Sequence, residues 1–379
     1  MHFSLFSCIL SGANQSSRMK NKTMLSLMAL LMYCGSLFAQ TPALVYHDAM
    51  TFPVIGKYHT EPNYNRLPAK YEKTVRPAVW ALSRNSAGVA IRFRTNATTI
   101  AARWKVLNNN AMNHMTATGI RGLDLYALVN QQWQFVNSAI PGNDARSEKT
   151  ILKKGDGAWR EYVLFLPLYD GVDSLSIGVN TGADITPPQQ SLLMDKKPIV
   201  YYGSSIAQGG CASRPGMAYT NILVRQLQRP IINLGFSGNG MFETAVGEAI
   251  CETDPSLIVI DCNPNTSPEL IHERAVKLVE QIRACKPQTP VLLVENYLYE
   301  HAYFEKDIHD IVFRKRAELK KAYNDLKKAG VKNLHYISGE GFLGADHEGT
   351  VDGVHPTDVG MERFAAHILP TLRKLTKGL

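Results

Sequence analysis

An apolar run, Pro198-Ile-Val-Tyr-Tyr202, breaks at Gly203-Ser204-Ser205-Ile206, and about 150 residues later a loop reads Asp352-Gly353-Val354-His355-Pro356. A serine hydroxyl is a weak nucleophile until a positioned base removes its proton. His355 is the candidate base for Ser205. Asp352, three residues earlier, can turn back onto the imidazole, hold one tautomer and stabilise the protonated ring. The Gly-Val spacer and Pro356 suit a tight turn carrying both side chains. Such a set performs acyl transfer. An Asp-x-x-His alone is equally a solvated surface turn; the serine at a strand end gives it weight.

Acyl transfer also needs donors aimed at the developing oxyanion. A second apolar run ends in Asn233-Leu-Gly-Phe-Ser-Gly238-Asn-Gly240, where glycine lets a backbone amide approach a substrate closely. A third ends in Asp261-Cys-Asn-Pro-Asn265 and brings carboxamides to the same edge. Glycine and asparagine are also ordinary turn formers. Asp346-His347-Glu348, near Asp352 and His355, lacks HExxH-type spacing and reads as a polar turn, so no metal and no cofactor are expected. His301 and His309 read as surface residues. His114 is a candidate for contacting substrate from the first half, and a structural role fits it as well.

These residues must be carried by a scaffold, and the chain reads as two regimes. From about Ala43 to Pro188 apolar residues alternate. Val89-Ile91-Phe93, Ile100-Ala102-Trp104, Leu123 to Val129, Tyr162-Leu164-Leu166 and Leu175-Ile177-Val179 read as strands, with a hairpin around Asn130–Gln132. Short strands between Gly, Asn and Asp turns predict an antiparallel β-sandwich. After a polar stretch, Thr181 to Lys197, buried-looking runs at Ile199, Ile231, Leu257, Val291 and Leu334 alternate with helical segments over 218–228, 268–284, 307–329 and 358–375. That alternation predicts a parallel sheet covered on both faces. Ligands collect at the carboxyl ends of such strands, which is where Ser205 falls. The expected division is residues 40–190 and 191–379.

The chain has 379 residues, 45% hydrophobic and 20% charged, enough for two ordinary cores. Its start reads as an export leader. Arg18, Lys20 and Lys22 precede the apolar run Met24–Met32 and the small-residue exit before Gln40, so cleavage is expected after Ala39. Met19 is an alternative start, and Cys34 raises a lipoprotein alternative that the bulk of Tyr33 disfavours. Processing removes three basic residues and no acidic ones, taking the formal charge from +8 to +5. No basic run interleaved with aromatics points to nucleic acid. Cys211, Cys251, Cys262 and Cys285 remain; disulfides are permitted in an oxidising compartment, and Cys262 in its apolar run reads as a buried free thiol.

The four segments resemble, in order and separation, the blocks of SGNH-type (GDSL-like) hydrolases. Gly203-Ser204-Ser205-Ile206 is similar to the first block, with Ser204 where the family usually has Asp. The resemblance makes Ser205 the nucleophile and one oxyanion amide, Gly238 a second amide, and Asp352 and His355 the fifth block. The third block, usually Gly-x-Asn-Asp, departs to Asn263-Pro-Asn265-Thr266; counting from the strand start favours Asn265 as the carboxamide donor, with Asn263 the runner-up. The first half resembles the β-rich domain preceding a bacterial subgroup of these enzymes, through Gly122-Leu-Asp124-Leu-Tyr126, Leu82 to Gly88 and the loop Gln208 to Gly216.

The resemblance implies a flavodoxin-like parallel sheet behind the sandwich and an exported, periplasmic or extracellular serine esterase. Its expected substrates are short acyl, above all acetyl, esters of carbohydrates or small molecules, with no membrane span in the mature chain. A lipid-directed esterase or thioesterase would use the same residues, and a non-catalytic glycan-binding protein is the reading from another class. The Gly-x-Ser-x-Gly elbow of α/β-hydrolases is missing.

Overall fold

The computed structural model describes residues 43–378; the leader expected over residues 1–39, with cleavage after Ala39 or a start at Met19, lies outside them. The first half contains β1 (Leu44–Asp48), β2 (Val54–Ile55), β3 (Ala90–Thr95), β4 (Ile100–Val106) and β5 (Leu123–Val129). They are followed by β6 (Gln132–Ala139), β7 (Arg146–Leu152), β8 (Arg160–Phe165), β9 (Val172–Asn180) and β10 (Ile185–Thr186). Two antiparallel sheets result, ordered β1-β9-β4-β7 and β10-β3-β8-β5-β6, with β2 beside β3.

Alternation builds this sandwich. Ile91, Phe93, Ala102, Trp104, Leu123, Leu125, Leu164 and Ile177 point between the sheets into one core, while the intervening residues face outward or toward the second half. The expected hairpin joins β5 to β6, with Val129 paired to Gln132. Asn130 and Gln131 both take positive φ, at 50° and 63°, the backbone a two-residue turn needs to match strand twist. Strand β7 is not among the predicted strands; its only buried residues are Ser147 and Ile151. An edge strand with so little inward apolar surface carries almost no period-two signal. Two short helices, α1 (Pro77–Ser83) and α2 (Ala117–Arg121), add to the predicted strands.

The second half contains β11 (Ile199–Gly203), β12 (Ile231–Gly235), β13 (Leu257–Asp261), β14 (Val291–Val294) and β15 (Leu334–Ile337). All pair in parallel, in the order β12-β11-β13-β14-β15. This is the flavodoxin-like order, in which the order of strand addition reverses between β11 and β13 while all the strands stay parallel. Helices α3 (Ser205–Gln208), α4 (Tyr219–Leu227), α5 (Thr244–Cys251), α6 (Pro268–Cys285), α7 (Lys306–Lys328) and α8 (Asp358–Leu375) complete it.

Successive strand residues feed opposite faces. Val200, Tyr202, Ile258 and Ile260 pack with Val246, Ile271, Leu278 and Leu319 of α5, α6 and α7. Tyr201, Val259 and Leu292 pack with Leu223, Phe364 and Ile368 of α4 and α8. The β-rich half adds to both cores: Val75 and Val79 to the first, Tyr126, Phe165 and Leu168 to the second.

Cys251 and Cys285 form a disulfide between the ends of α5 and α6, and Cys211 and Cys262 are free and buried. Among the described residues no helix is long and apolar enough to cross a membrane.

Candidate active site

Strand β11 ends at Gly203, and the chain turns at once into the single-turn helix α3. Ser204 caps it, its Oγ accepting from the Ile206 amide at 3.3 Å. Serine is among the residues that cap a helix best. Ser205 is therefore the first helical residue at the mouth of the sheet, 6% exposed, and its amide has no partner within the helix. Tyr169 of the β-rich half donates its hydroxyl to the Ser205 carbonyl at 3.1 Å, tying the turn to the neighbouring half.

The distal loop brings the other two groups. Ser205 Oγ lies 2.9 Å from His355 Nε2, and His355 Nδ1 lies 2.7 Å from Asp352 Oδ2. The other carboxylate oxygen accepts the amides of Val354 at 3.0 Å and His355 at 2.7 Å. Gly353, at φ 83°, allows this reversal, because few other residues enter the left-handed region without cost. Partial burial works to raise the Asp352 carboxyl, and the amides and ring it accepts from outweigh it, holding the group below the usual carboxylate value. Tyr297 donates its hydroxyl to the Val354 carbonyl and anchors the turn.

The oxyanion candidates are arranged by strand register. Gly203 pairs with Gly235 on one side and Asp261 on the other. Ser205 and Asn263 thus each stand two residues beyond a matched pair, and Gly238 stands three beyond Gly235. Gly238 has φ 66° and open space where a Cβ would be. Asn263 is wholly buried; its Nδ2 donates to Asn296 Oδ1 at 2.5 Å, while Asn296 Nδ2 donates to the Tyr297 carbonyl at 3.3 Å. That chain of bonds sets the Asn263 amide and leaves one of its two N–H groups for another acceptor. Asn265 lies two residues further round the Asn263–Asn265 turn, and its buried Oδ1 has no partner.

Residues not anticipated as part of the site hold it in place. Arg66, wholly buried, donates to the Asn233 carbonyl at 3.2 Å and also to that of Gly235, which fixes the end of β12. Burial pushes its guanidinium down to about 9. Asp261, under the turn, accepts from the hydroxyls of Tyr201 at 3.4 Å and Tyr219 at 3.3 Å. Burial outweighs those donors and pushes its carboxyl up to about 8. Neither signalled itself in sequence, since an isolated Arg or Asp has no spacing to read.

His114 reaches the site: its ring stands edge-on to that of His355, 5.7 Å between centroids. Of the polar turn, Asp346 pairs with Arg363 at 2.5 Å and 2.8 Å, and His347 with Glu300 at 2.7 Å. His309 lies beside Asp310 on α7, at 3.2 Å. His301 stacks near Tyr299 at 6.0 Å, in a segment joined to the distal loop by the Glu300 amide, which donates to the Gly353 carbonyl at 2.9 Å.

Comparison with known proteins places this geometry in context. Residues 196–373 match the family model described as GDSL-like Lipase/Acylhydrolase family. Residues 44–185 match that described as the N-terminus of Esterase_SGNH_hydro-type. A putative GDSL-like lipase from Bacteroides ovatus is 38% identical, with a TM-score of 0.85 over 88% of this chain and 98% of its own. A salicylyl-acyltransferase from a tetracycline biosynthetic pathway is 19% identical, with a TM-score of 0.67 over 90% of this chain and 97% of its own. A family two carbohydrate esterase from Clostridium thermocellum, solved with cellohexaose, is 13% identical, with a TM-score of 0.54 over 76% of this chain and 92% of its own. The last two share the fold. No curated protein sequence matches the chain.

Proposed function

This chain belongs to the GDSL-like lipase/acylhydrolase family, with the N-terminal domain of SGNH-type esterases, and on that premise we propose that it hydrolyses short acyl esters of carbohydrates through Ser205, His355 and Asp352. The observation that carries the reading is the unbroken line of contacts from Ser205 Oγ to His355 to Asp352, at 2.9 Å and 2.7 Å. His355 Nε2 takes the hydroxyl proton as Ser205 Oγ attacks the ester carbonyl carbon. Asp352 holds the ring and balances its charge. The amides of Ser205 and Gly238 and a carboxamide from the third block receive the oxyanion. Register puts Asn263 ahead of Asn265 for that last role. His355 then gives its proton to the leaving alcohol, and water, activated by the same ring, releases the acid.

The substrate class draws on the surface beside the distal loop. Tyr303 is 57% exposed and Phe304 92% exposed, in the segment that the Glu300 amide ties to Gly353. Exposed aromatic faces suit the apolar face of a sugar ring, and the fold is shared with a carbohydrate esterase solved with cellohexaose. The Cys251–Cys285 disulfide supports an oxidising, exported setting. Two measurements test the proposal on the full chain. A fluorophosphonate probe should label Ser205, and acetate should be released from acetylated oligosaccharides with a KM that rises in Phe304→Ala while p-nitrophenyl acetate turnover holds. Octanoyl esters cleaved faster than acetyl esters would favour a lipid-directed enzyme instead.

A further inference from the structure

We propose that His114, Cys211 and His355 form a binding site for one thiophilic divalent cation, zinc above all, whose occupancy switches the esterase off. A ring nitrogen of each histidine and the Cys211 sulfur all lie within 4.8 Å of one another. They come from three separate segments: the β-rich half, the loop after the nucleophile and the distal loop. Cysteine sulfur and histidine nitrogen are the ligands zinc takes in tetrahedral sites, with bonds of about 2.3 Å and 2.0–2.1 Å. Such bonds separate ligand atoms by roughly 3.5 Å, so atoms within 4.8 Å of one another need draw together by at most about 1.3 Å.

The surroundings are those of ligating histidines. His114 Nδ1 lies 2.9 Å from Asn113 Oδ1, and His355 Nδ1 lies 2.7 Å from Asp352 Oδ2. Each ring is thereby oriented through Nδ1 and turns Nε2 to the cation, the arrangement that fixes tautomer and direction in metal sites. Cys211 is outside the disulfide, and its amide donates to the Pro356 carbonyl at 3.3 Å, which locks its backbone to the loop bearing His355. Binding replaces the Cys211 thiol proton with the cation and releases that proton to solvent.

Inhibition follows from one shared lone pair. The His355 Nε2 that accepts the Ser205 proton is the nitrogen the cation would occupy, so a loaded site has no base. This half of the inference rests on the function proposed above; the binding half does not.

The test uses the untagged full chain. Zinc is titrated against a chromophoric chelator, and p-nitrophenyl acetate turnover is followed over the same range, each variant read as its ratio with and without zinc. One equivalent should bind, abolish turnover at the same midpoint, and be reversed by EDTA. Outer-shell partners alone are worth 10–100-fold in affinity, so removing a direct ligand in Cys211→Ser or His114→Gln should raise the midpoint on the order of 100-fold. Cobalt(II) should give a thiolate-to-metal charge-transfer band in the wild type and none in Cys211→Ser. Unchanged midpoints in both variants, or no zinc held by the wild type, would overturn the proposal. Zinc bound with the expected variant pattern but no turnover in metal-free protein would sink the functional reading and leave the cation site standing.

Discussion

The Asp124 carboxylate meets Arg214 at 2.7 Å across the junction of the two halves, and the same oxygen accepts the Gly216 amide at 2.7 Å. Its other oxygen accepts from Ser138 at 2.6 Å. Asp124 is the acid of the Gly122-Leu-Asp124-Leu-Tyr126 phrase, wholly buried, and it clamps the loop that runs from the nucleophile helix through Cys211. Gly216 permits the approach: a Cβ there would lie 2.3 Å from the Tyr126 hydroxyl and 2.8 Å from Asp124 Oδ2. Removing one member of a buried charge pair typically costs about 3–5 kcal/mol. Asp124→Ala should therefore lower the melting temperature by several degrees and reduce kcat, with Asp124→Asn less affected. Unchanged stability in the alanine variant would contradict the clamp.

On strand register, Asn263 is the proposed carboxamide donor. Loss of one oxyanion donor costs about 10²–10³ in kcat, so Asn263→Ala should fall by that much on p-nitrophenyl acetate and Asn265→Ala by far less. Asn296→Ala, which frees the Asn263 amide to turn, should lie between them. A slower Asn265→Ala would move the role to that residue.

Cys251 and Cys285 lie 34 residues apart in sequence, just ahead of the first residues of β13 and β14 and hence at the sheet edge opposite Ser205. A loop of that length is worth roughly 3–4 kcal/mol by chain entropy. Dithiothreitol, or Cys251→Ala with Cys285→Ala, should lower the melting temperature while leaving kcat at 25 °C close to the wild-type value. A melting temperature unmoved by reduction would remove the stabilising role.

Asp261 gives a pH dependence whose sign is unambiguous. Its carboxyl sits at about 8 in the folded protein, raised from 3.8, so between those values the folded state holds a proton that the unfolded chain releases. Its contribution to stability is full below about pH 4 and is lost as pH rises through 8. Asp261→Asn, which keeps a neutral polar group there, should flatten that part of the melting-temperature profile. A profile identical to wild type would mean that the buried group is ionised when folded.

What could be read from the sequence follows from which features repeat. Parallel strands covered on both faces leave unbroken apolar runs, so Ile199–Gly203 and Leu257–Asp261 were legible. The helix over 358–375 was legible through its amphipathic spacing and the proline ahead of it. Ser205, His355 and Asp352 were identified as candidates because each sits in a short motif. Arg66, Asp261 and Asn296 were not, because they act through tertiary partners far away in the chain. Register also could not be read: whether Asn263 or Asn265 stands level with Ser205 depends on pairing Gly203 with Asp261, which counting within one segment does not reveal. The Asp124–Arg214 contact spans 90 residues, and no local pattern announces it.

The most direct test is p-nitrophenyl acetate turnover by the purified full chain beside Ser205→Ala and His355→Ala. If Ser205 attacks and His355 takes its proton, each variant should lose about 10⁴-fold or more in kcat, and the double variant should be scarcely slower than either alone, because the two act as one unit. Turnover near the wild-type rate in either single variant would contradict the account.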